Sequence, residues 1–335
     1  MARSINWNRV WVFARDEIKS KLSDQIFESS NLLKSMKGGG VNNEKGGQEK
    51  AGSNSFTISP ILYGKNRASG YISGYSKMKI DPDQKFTEAT YDWHTGYVNT
   101  TFSLDDEDAM VSDAAITNMV KTEMEVTTMS MQDIISTALF NDGSDSDAPH
   151  GLRKLIDTTS TVGGIDRSSY SWWQSNVMSD TTNYTKANLT NPSSDYYILD
   201  LFRSMWYKTK HQNMIPNVIV LSPGWDNVLE EEMAPYMEYR TSDVKEAKVD
   251  IASWSYKGKI PMIQDDYVPD GYCFWLNYKF LKMYVHRNRD MKLGEFRTPV
   301  DQMIRVAPLT HKFEFATNGP RYQGLIRANT DIEPS

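Results

Sequence analysis

Cysteine is almost absent from the sequence. One thiol, Cys273, stands among 335 residues, so an intrachain disulfide is excluded. Its neighbours from Gly271 to Leu276 are mostly apolar, and this setting predicts a buried structural thiol. A chain without disulfides is typical of a reducing compartment, so we expect a soluble intracellular product.

Long hydrophobic runs are absent too. No apolar stretch approaches the roughly 20 residues that a bilayer-spanning helix needs, so we expect no membrane partner. The first residues, MARSINWNRVWVFARDEIK, contain no uninterrupted apolar core and no small-residue cleavage site. A signal peptide is therefore not expected.

Basic residues are fewer than acidic residues. Lys and Arg number 37 against 43 Asp and Glu, which gives a formal net charge of -6. A dedicated nucleic-acid-binding protein would present a basic stripe able to displace counterions from phosphates. The basic residues here are scattered among carboxylates, so the balance argues against that class.

The sequence also lacks the usual motifs of metal sites and catalysis. The 5 histidines lie far apart, without the spacing of a zinc site. Asp142, Asp145 and Asp147 approximate a calcium loop but lack its glycine and distal glutamate, which favours a polar loop. Neither Gly-x-Ser-x-Gly nor His-Glu-x-x-His occurs. We assign no catalytic, cofactor-binding or metal residue, and an enzyme with a dispersed site stays an open alternative.

Two pairs of identical residues each admit two interpretations. Gly163-Gly164 could cradle a phosphate, but the pair precedes no clear helix, and a turn with positive φ explains it. Trp172-Trp173 could stack a base or a sugar. Because no basic residues are interleaved, burial or a subunit contact is favoured.

The N-terminal region combines an amphipathic pattern with a glycine-rich stretch. Apolar residues recur at helical spacing at Trp7, Val10, Trp11, Ala14, Ile18 and Leu22. We expect this helix to dock on protein. Residues 34–54 are glycine-rich and charged, and they are predicted to form a flexible tether.

Extended structure is predicted next. Val98, Thr100, Phe102 and Leu104 alternate with polar residues, as do Met78 and Ile80 with two lysines. The segment carries little apolar surface, and isolated hairpins are marginal in water. We therefore expect support from outside the segment.

A long helix is predicted from Asp105 to Asn141, with carboxylates in its first turn. Its apolar stripe comprises Ile116, Met119, Val120, Met124, Met131, Ile134, Ile135, Ala138 and Leu139. About thirty residues would make a rod of roughly 45 Å. Asn141-Asp142-Gly143 supplies the stop.

The remainder mixes helices and strands. Asp195 is predicted to cap a helix from Ile198 to Trp206, and Ser222-Pro223 to open another after a buried strand at Val218–Leu221. Strands return beyond Asp270, with Leu281, Met283 and Val285 alternating. Asn318-Gly319 predicts a hairpin.

The stretch GLRKLIDTTSTVGGIDRSSYSWWQS, from Gly151 to Ser175, resembles a segment of tailed-bacteriophage major capsid proteins. Tyr256 to Pro261 and Phe274 to Asn277 are similar to later segments of that family. The resemblance spans roughly Phe56 to Asp331. It implies the Hong Kong ninety-seven capsid fold, of class α+β.

The family order divides the chain into five expected segments. Residues 1–55 would be the N-terminal arm and flexible tether, 56–104 the extended E-loop, and 105–150 the spine helix of the peripheral (P) domain. Residues 151–264 would be the axial (A) domain, and 265–335 the closing strands of the P-domain.

The resemblance also implies a function. A member of this family would be a structural protein, not an enzyme, and would self-assemble as pentamers and hexamers into the icosahedral head of a tailed phage around double-stranded DNA. The alternatives are a cargo-encapsulating shell protein of the same fold and, less favoured, an enzyme with a site in residues 151–264. We expect the protein in the virion capsid, after assembly in the host bacterial cytoplasm.

Its expected partners are copies of itself, a separate scaffolding protein, a portal and a decoration protein, with packaged DNA bound only non-specifically. The residues expected at subunit contacts are Trp7, Val10, Trp11, Tyr63, Lys65, Arg67, Tyr71 and Tyr75.

Overall fold

A computed structural model describes residues 31–34, 36, 47–52, 55–80, 84–105, 113–233, 255–257 and 260–332. The predicted N-terminal helix, with Trp7, Val10 and Trp11, lies outside these residues, as does the predicted first turn of the long helix at 106–108.

The helices, in chain order, are α1 Asn31–Lys34, α2 Asp113–Leu139, α3 Leu152–Leu155, α4 Lys186–Leu189, α5 Ile198–Thr209 and α6 Pro223–Met233. Short 3-10 turns lie at Ser171–Trp173, Arg287–Arg289, Pro320–Tyr322 and Thr330–Ile332. Within the described part of the chain, no helix combines the length and the apolar character needed to cross a bilayer.

The strands of the first half are β1 Gly47–Ala51, β2 Ser55–Leu62, β3 Phe86–Asp92, β4 His94–Ser103, β5 Thr161–Val162, β6 Ile165–Asp166 and β7 Asn176–Ser179. Those of the second half are β8 Val218–Leu221, β9 Ser255–Tyr256, β10 Ile260–Gln264, β11 Tyr272–Leu276, β12 Leu281–His286, β13 Lys292–Leu293, β14 Ile304–Thr317 and β15 Gly324–Arg327.

Two sheets organise these strands. A 5-stranded sheet has the order β1-β12-β14-β13, with β4 also paired to β14. A 6-stranded sheet has the order β7-β15-β11-β8-β10-β9, so it takes strands from both sides of residue 264. β2 and β3 form a separate antiparallel ribbon, and β5 and β6 form a short hairpin.

Two hydrophobic cores lie against these sheets, and the 6-stranded sheet contributes one face to each of them. The 5-stranded sheet packs with the end of α2, where Met131, Ile135 and Leu139 are fully buried. The 6-stranded sheet packs with α5 and α6, and Phe202 meets Trp275 edge to face at 5.4 Å between ring centroids. Aromatic pairs of this kind stabilise a core beyond the area they bury.

The predicted stripe of the long helix is confirmed from Val120 onward with one exception. Val120, Met124 and Met131 are buried, and the helix ends before Gly143, whose φ of 78° suits a stop. Ile134 is 37% exposed, because it lines an open cavity at the rim of the packed face.

Part of the predicted tether is a strand. β1 pairs in parallel with β12, from Gly47–Lys282 to Ala51–His286. The prediction of a free tether is therefore wrong for residues 47–51. Composition favours flexibility there, but backbone hydrogen bonds to a distant strand override it.

Two other local predictions are wrong. The segment 76–80, including Met78 and Ile80, lies outside regular secondary structure and is exposed. No side chain caps α5; Tyr197, and not Asp195, occupies its N-cap position.

The hairpin predicted at Asn318-Gly319 is also wrong. β14 pairs with β12 and β4, whereas β15 pairs with β11 and β7 in the other sheet. The turn residues redirect the chain from one sheet to the other, and local sequence does not reveal which strand becomes the partner.

Candidate assembly surface

The β2–β3 ribbon is anchored to the body by an aromatic cluster at its base. Phe56 stacks on Tyr91 at 5.5 Å and on Tyr284 of β12 at 4.4 Å between ring centroids. The Tyr91 hydroxyl donates a hydrogen bond to the Thr317 carbonyl oxygen, 2.8 Å away. Burial raises the pKa of Tyr91, so the hydroxyl stays a neutral donor.

The Gly163-Gly164 turn braces the same ribbon. Its φ angles of 63° and 74° join β5 to β6 as a two-residue hairpin turn, which confirms the turn interpretation. The Thr90 amide donates to the Gly163 carbonyl at 3.0 Å. A Cβ added to Gly163 would lie 2.7 Å from the Cβ of Ala89, so glycine permits the close approach.

Arg167 holds the stretch from Gly151 to Ser175 together, and the sequence reasoning missed it. Its side chain is fully buried and donates from Nε to the Trp173 carbonyl at 3.1 Å and from Nη2 to the Leu155 carbonyl at 2.6 Å. A further bond runs from Nη1 to the Lys154 carbonyl at 3.2 Å. Desolvation lowers the pKa of Arg167 to about 10, which still leaves the guanidinium charged at neutral pH.

The two adjacent tryptophans have different environments and different contacts. Trp173 is buried, as predicted, and its indole nitrogen donates to the Val162 carbonyl at 3.0 Å. Trp172 is half-buried and stacks under Tyr63 at 5.3 Å between ring centroids. The pair therefore links the β5–β6 hairpin to the start of the loop beyond the ribbon.

The loop of residues 63–80 projects from the far end of the ribbon. Tyr71 and Tyr75 are as exposed as in an extended chain, at 107% each. Met78 and Ile80 are exposed as well. Apolar surface concentrated in this way marks an interaction site more often than chance exposure.

The expected support from outside the extended segment is confirmed for β4 and for the base of the ribbon, and it comes from β14 and β12 of the same chain. β4 pairs with β14 over ten residues, from Ser103–Ile304 to His94–Phe313. Phe56 and Tyr91 lie in the core of the same chain. Residues 64–80, by contrast, form no strand pair and contribute to neither hydrophobic core.

The structure places five of the expected contact residues on or at the base of this loop. Lys65, Arg67, Tyr71 and Tyr75 are exposed along it. Tyr63 is partly engaged within its own chain, since its hydroxyl donates to the Gln84 carbonyl at 2.8 Å. Their role in subunit contacts remains a prediction.

A cavity of about 710 Å³ lies between the end of α2, the start of β4 and the connections at 141–149 and 267–269. Phe140, Pro149 and Phe313 are among its apolar lining residues. Asp133, Asp145 and Asp147 also line it. A concave apolar surface with a few polar groups is the usual form of a binding site.

Beside this cavity, Glu314 of β14 is fully buried between two histidines. Its Oε2 contacts Nδ1 of His94, and its Oε1 lies 3.0 Å from Nδ1 of His150. The hydrogen bond to Glu314, despite opposing desolvation, raises the pKa of His94. The group joins β4, the connection after α2 and β14.

This cluster is not arranged as a metal centre. Both imidazoles turn Nδ1 toward the same carboxylate, and His94 makes a further hydrogen bond to the backbone of Ser146. Across the ranges that the structure describes, no group of three His, Cys, Asp or Glu side chains is placed to hold a metal ion. The carboxylate and the two imidazoles form an internal hydrogen-bonded cluster.

Comparison with known proteins identifies the fold. The sequence matches no family model and no curated protein. Among solved structures, the capsid of a native GTA particle is 10% identical, with a TM-score of 0.57 over 84% of this chain and 86% of that chain. The capsid of cyanophage A-1(L) is 16% identical, with a TM-score of 0.52 over 84% and 90%.

A third similar structure is a bacterial shell. The holo-SrpI encapsulin complex from Synechococcus elongatus PCC 7942 is 9% identical, with a TM-score of 0.52 over 86% of this chain and 87% of that chain. The fold of this chain is thus the one that these capsid and encapsulin chains share. The resemblance to tailed-phage major capsid proteins, and the α+β class, are confirmed at the level of the fold.

Proposed function

We propose that the protein is a major capsid protein that self-assembles into the icosahedral head of a tailed phage. The observation that carries the proposal is the capsid fold combined with the exposed aromatic loop of residues 63–80. A shell subunit needs complementary surfaces in place of a catalytic pocket. Repetition of one head-to-tail contact closes rings, here pentamers and hexamers.

The proposal also covers the packaged DNA and the proteins that take part in assembly. The shell would enclose double-stranded DNA, which a chain of net charge -6 would contact only non-specifically. Assembly would take place in the bacterial cytoplasm with a separate scaffolding protein, a portal and a decoration protein. The chain would act as a structural component of the virion and would catalyse no reaction.

Negative-stain microscopy and light scattering on the purified chain test this function, alone and with candidate scaffold. We expect shells, tubes, or rings of five-fold and six-fold symmetry. A strict monomer under every condition, scaffold included, would contradict the proposal. A ligand-dependent rise in melting temperature of such a monomer would favour an enzyme instead.

A cargo-encapsulating shell is the second candidate, because one similar structure is an encapsulin. The contents of shells purified from a bacterial host distinguish the two. Nuclease-protected DNA of one length supports the phage head. A co-purifying protein inside shells free of DNA supports the cargo shell.

A further inference from the structure

The cavity beside α2 carries an excess of negative charge. Asp133, Asp145 and Asp147 line it, and all three are exposed. Arg153 also lines it, but its guanidinium lies 3.4 Å from Asp142 and stands over a tyrosine ring. Within the part of the chain that the structure describes, no lysine or arginine forms an ion pair with the three lining carboxylates. A cation from outside the chain can therefore pair with them.

The negative charge lies at two places in the cavity wall. Asp133 is on α2, roughly 9 Å along the axis before the helix ends at Leu139. Asp145 and Asp147 follow that end, where the Asp147 amide donates to Oδ1 of Asp145 at 2.9 Å. In the described part of the chain these carboxylates form no group of three that could hold a metal ion. A compact ion, which needs its ligands gathered around one point, does not suit this arrangement.

Apolar side chains line the cavity between these two places. Ile134 and Ala138 come from the stretch of α2 that separates Asp133 from the end of the helix, and Phe313 of β14 lines the cavity as well. The cavity volume of about 710 Å³ is that of a small-molecule site. A ligand with methylene groups between its charges would remove this apolar surface from water.

Two tyrosines add aromatic rings to the same wall. Tyr97 lines the cavity and is 65% exposed. Desolvation, together with the nearby carboxylate of Asp133, raises the pKa of Tyr267, so its hydroxyl stays neutral beside that carboxylate. An ammonium group close to the face of such a ring gains a cation–π interaction. Aromatic rings beside carboxylates therefore favour an organic cation.

We propose that this cavity binds an organic polycation of the polyamine class, in which ammonium groups are separated by short methylene chains. One ammonium pairs with Asp133 and a second with Asp145 and Asp147, while the methylenes contact Ile134 and Phe313. Such a ligand matches the separation of the carboxylates, whereas a metal ion does not. The inference goes beyond the shell function proposed above and does not depend on it.

Calorimetric titration of the purified full-length chain with spermidine tests the site. We expect binding at a single site per chain, with an affinity that falls as salt is added. Asp145→Asn/Asp147→Asn should weaken binding at least fivefold, because two exposed ion pairs are lost, and Asp133→Asn should weaken it as well. The control Asp195→Asn/Asp301→Asn removes the same charge from exposed aspartates that do not line the cavity, and it should bind like the wild type.

A second variant tests the apolar part of the site. Ile134→Ser leaves the charge unchanged and should weaken spermidine binding roughly threefold, because contact with the methylenes is lost. Val300→Ser is the matched control, since Val300 is an exposed apolar residue that does not line the cavity. Magnesium chloride should displace spermidine no better than sodium chloride of equal ionic strength.

Three results would overturn the inference. The first is a wild-type chain that binds no spermidine, or a set of aspartate variants that bind it as tightly as the wild type. The second is displacement by magnesium well beyond the effect of ionic strength, which would assign the carboxylates to a metal. The third is undiminished binding by Ile134→Ser, which would leave only attraction to surface charge. Because the titration does not require assembly, each result is independent of the test of the shell function.

Discussion

At the scale of single residues, Arg167 and Gly163 decide how the capsid-like stretch folds. A buried guanidinium is tolerated because its donors meet carbonyl oxygens in fixed positions. Gly163 has a positive φ in a turn that lies against Ala89, where a Cβ would not fit. Each residue links segments that are separate in sequence, so each has a measurable effect on stability.

Replacing Gly163 by alanine should destabilise the subunit by about 2–4 kcal/mol. The left-handed conformation costs about 1–2 kcal/mol for a residue with a Cβ, and overpacking against Ala89 adds to it. Gly164→Ala is the matched control, because its φ is also positive but a Cβ there meets nothing within 4 Å. Urea unfolding of the unassembled subunit measures both. Equal losses for the two variants would show that the contact with the ribbon contributes nothing.

Replacing Arg167 by lysine should cost about 3 kcal/mol in the free energy of unfolding. An ammonium keeps the charge but cannot reach the carbonyls that the guanidinium fork satisfies, and buried acceptors left unpaired are costly. Arg203→Lys is the control, since Arg203 forms an exposed ion pair with Asp200 and should change stability by less than about 0.5 kcal/mol. An Arg167→Lys variant with an unchanged free energy of unfolding would refute the structural role of the guanidinium.

At the scale of elements, β14 is the strand that pairs with most of the other strands of the 5-stranded sheet. It pairs with β4 along ten residues, with β12 and with β13, and it carries Glu314 between two histidines. β4 precedes the long helix in the chain, and β3 of the ribbon leads into β4. A change in the Glu314 cluster therefore acts on the elements that position the ribbon and the cavity.

This cluster predicts a pH dependence of subunit stability. The folded-state pKa of His94 is raised above its unfolded value of about 6.5, chiefly by the hydrogen bond to Glu314. The stabilisation is therefore fully present below about pH 6.5 and is lost as pH rises through the raised folded-state pKa. Unfolding free energies measured between about pH 6 and 9 should fall for the wild type.

His94→Gln is the variant that checks the source of this slope. It should be less stable than the wild type at low pH and should show a flatter dependence over the same range. His211→Gln is the control. His211 lies outside the cluster, and burial lowers its pKa. An unchanged slope in His94→Gln would assign the pH dependence to another group.

At the scale of the whole molecule, we expect folding and assembly to be separable. Both hydrophobic cores lie outside the loop of residues 63–80. The final register pair of the ribbon, Leu62 with Phe86, offers a place to close it with a short turn. Replacing the loop by a glycine-serine turn should leave the melting temperature nearly unchanged, because loop length has little effect on stability.

The same replacement should abolish assembly. Native folding is checked by calorimetry and near-ultraviolet circular dichroism, and shells are counted by microscopy. Arg67→Glu is the single-residue version, and it should also impair assembly if Arg67 forms a partly buried inter-subunit pair. Normal shells from the loopless chain would remove the loop from the assembly mechanism.

The pattern of apolar residues by itself determined several local elements, including one strand that is buried on both faces and two elements that bury one face. Val218–Leu221, the alternating β12 and the second half of α2 follow their patterns, because the hydrophobic effect acts on each face as the pattern specifies. Gly163-Gly164 was likewise predictable as a turn, since positive φ requires glycine. The capsid-like stretch from Gly151 to Ser175 pointed to the fold through resemblance.

Only the tertiary structure decided which strands pair. β1 pairs with β12 and β15 leaves β14 for the other sheet, because backbone hydrogen bonds carry no side-chain signature of the partner strand. The burial of Arg167 and Glu314 was hidden for the same reason, since their partners lie on distant segments and on backbone carbonyls. The cavity beside α2 forms only where four segments meet, so no single stretch of sequence could predict it.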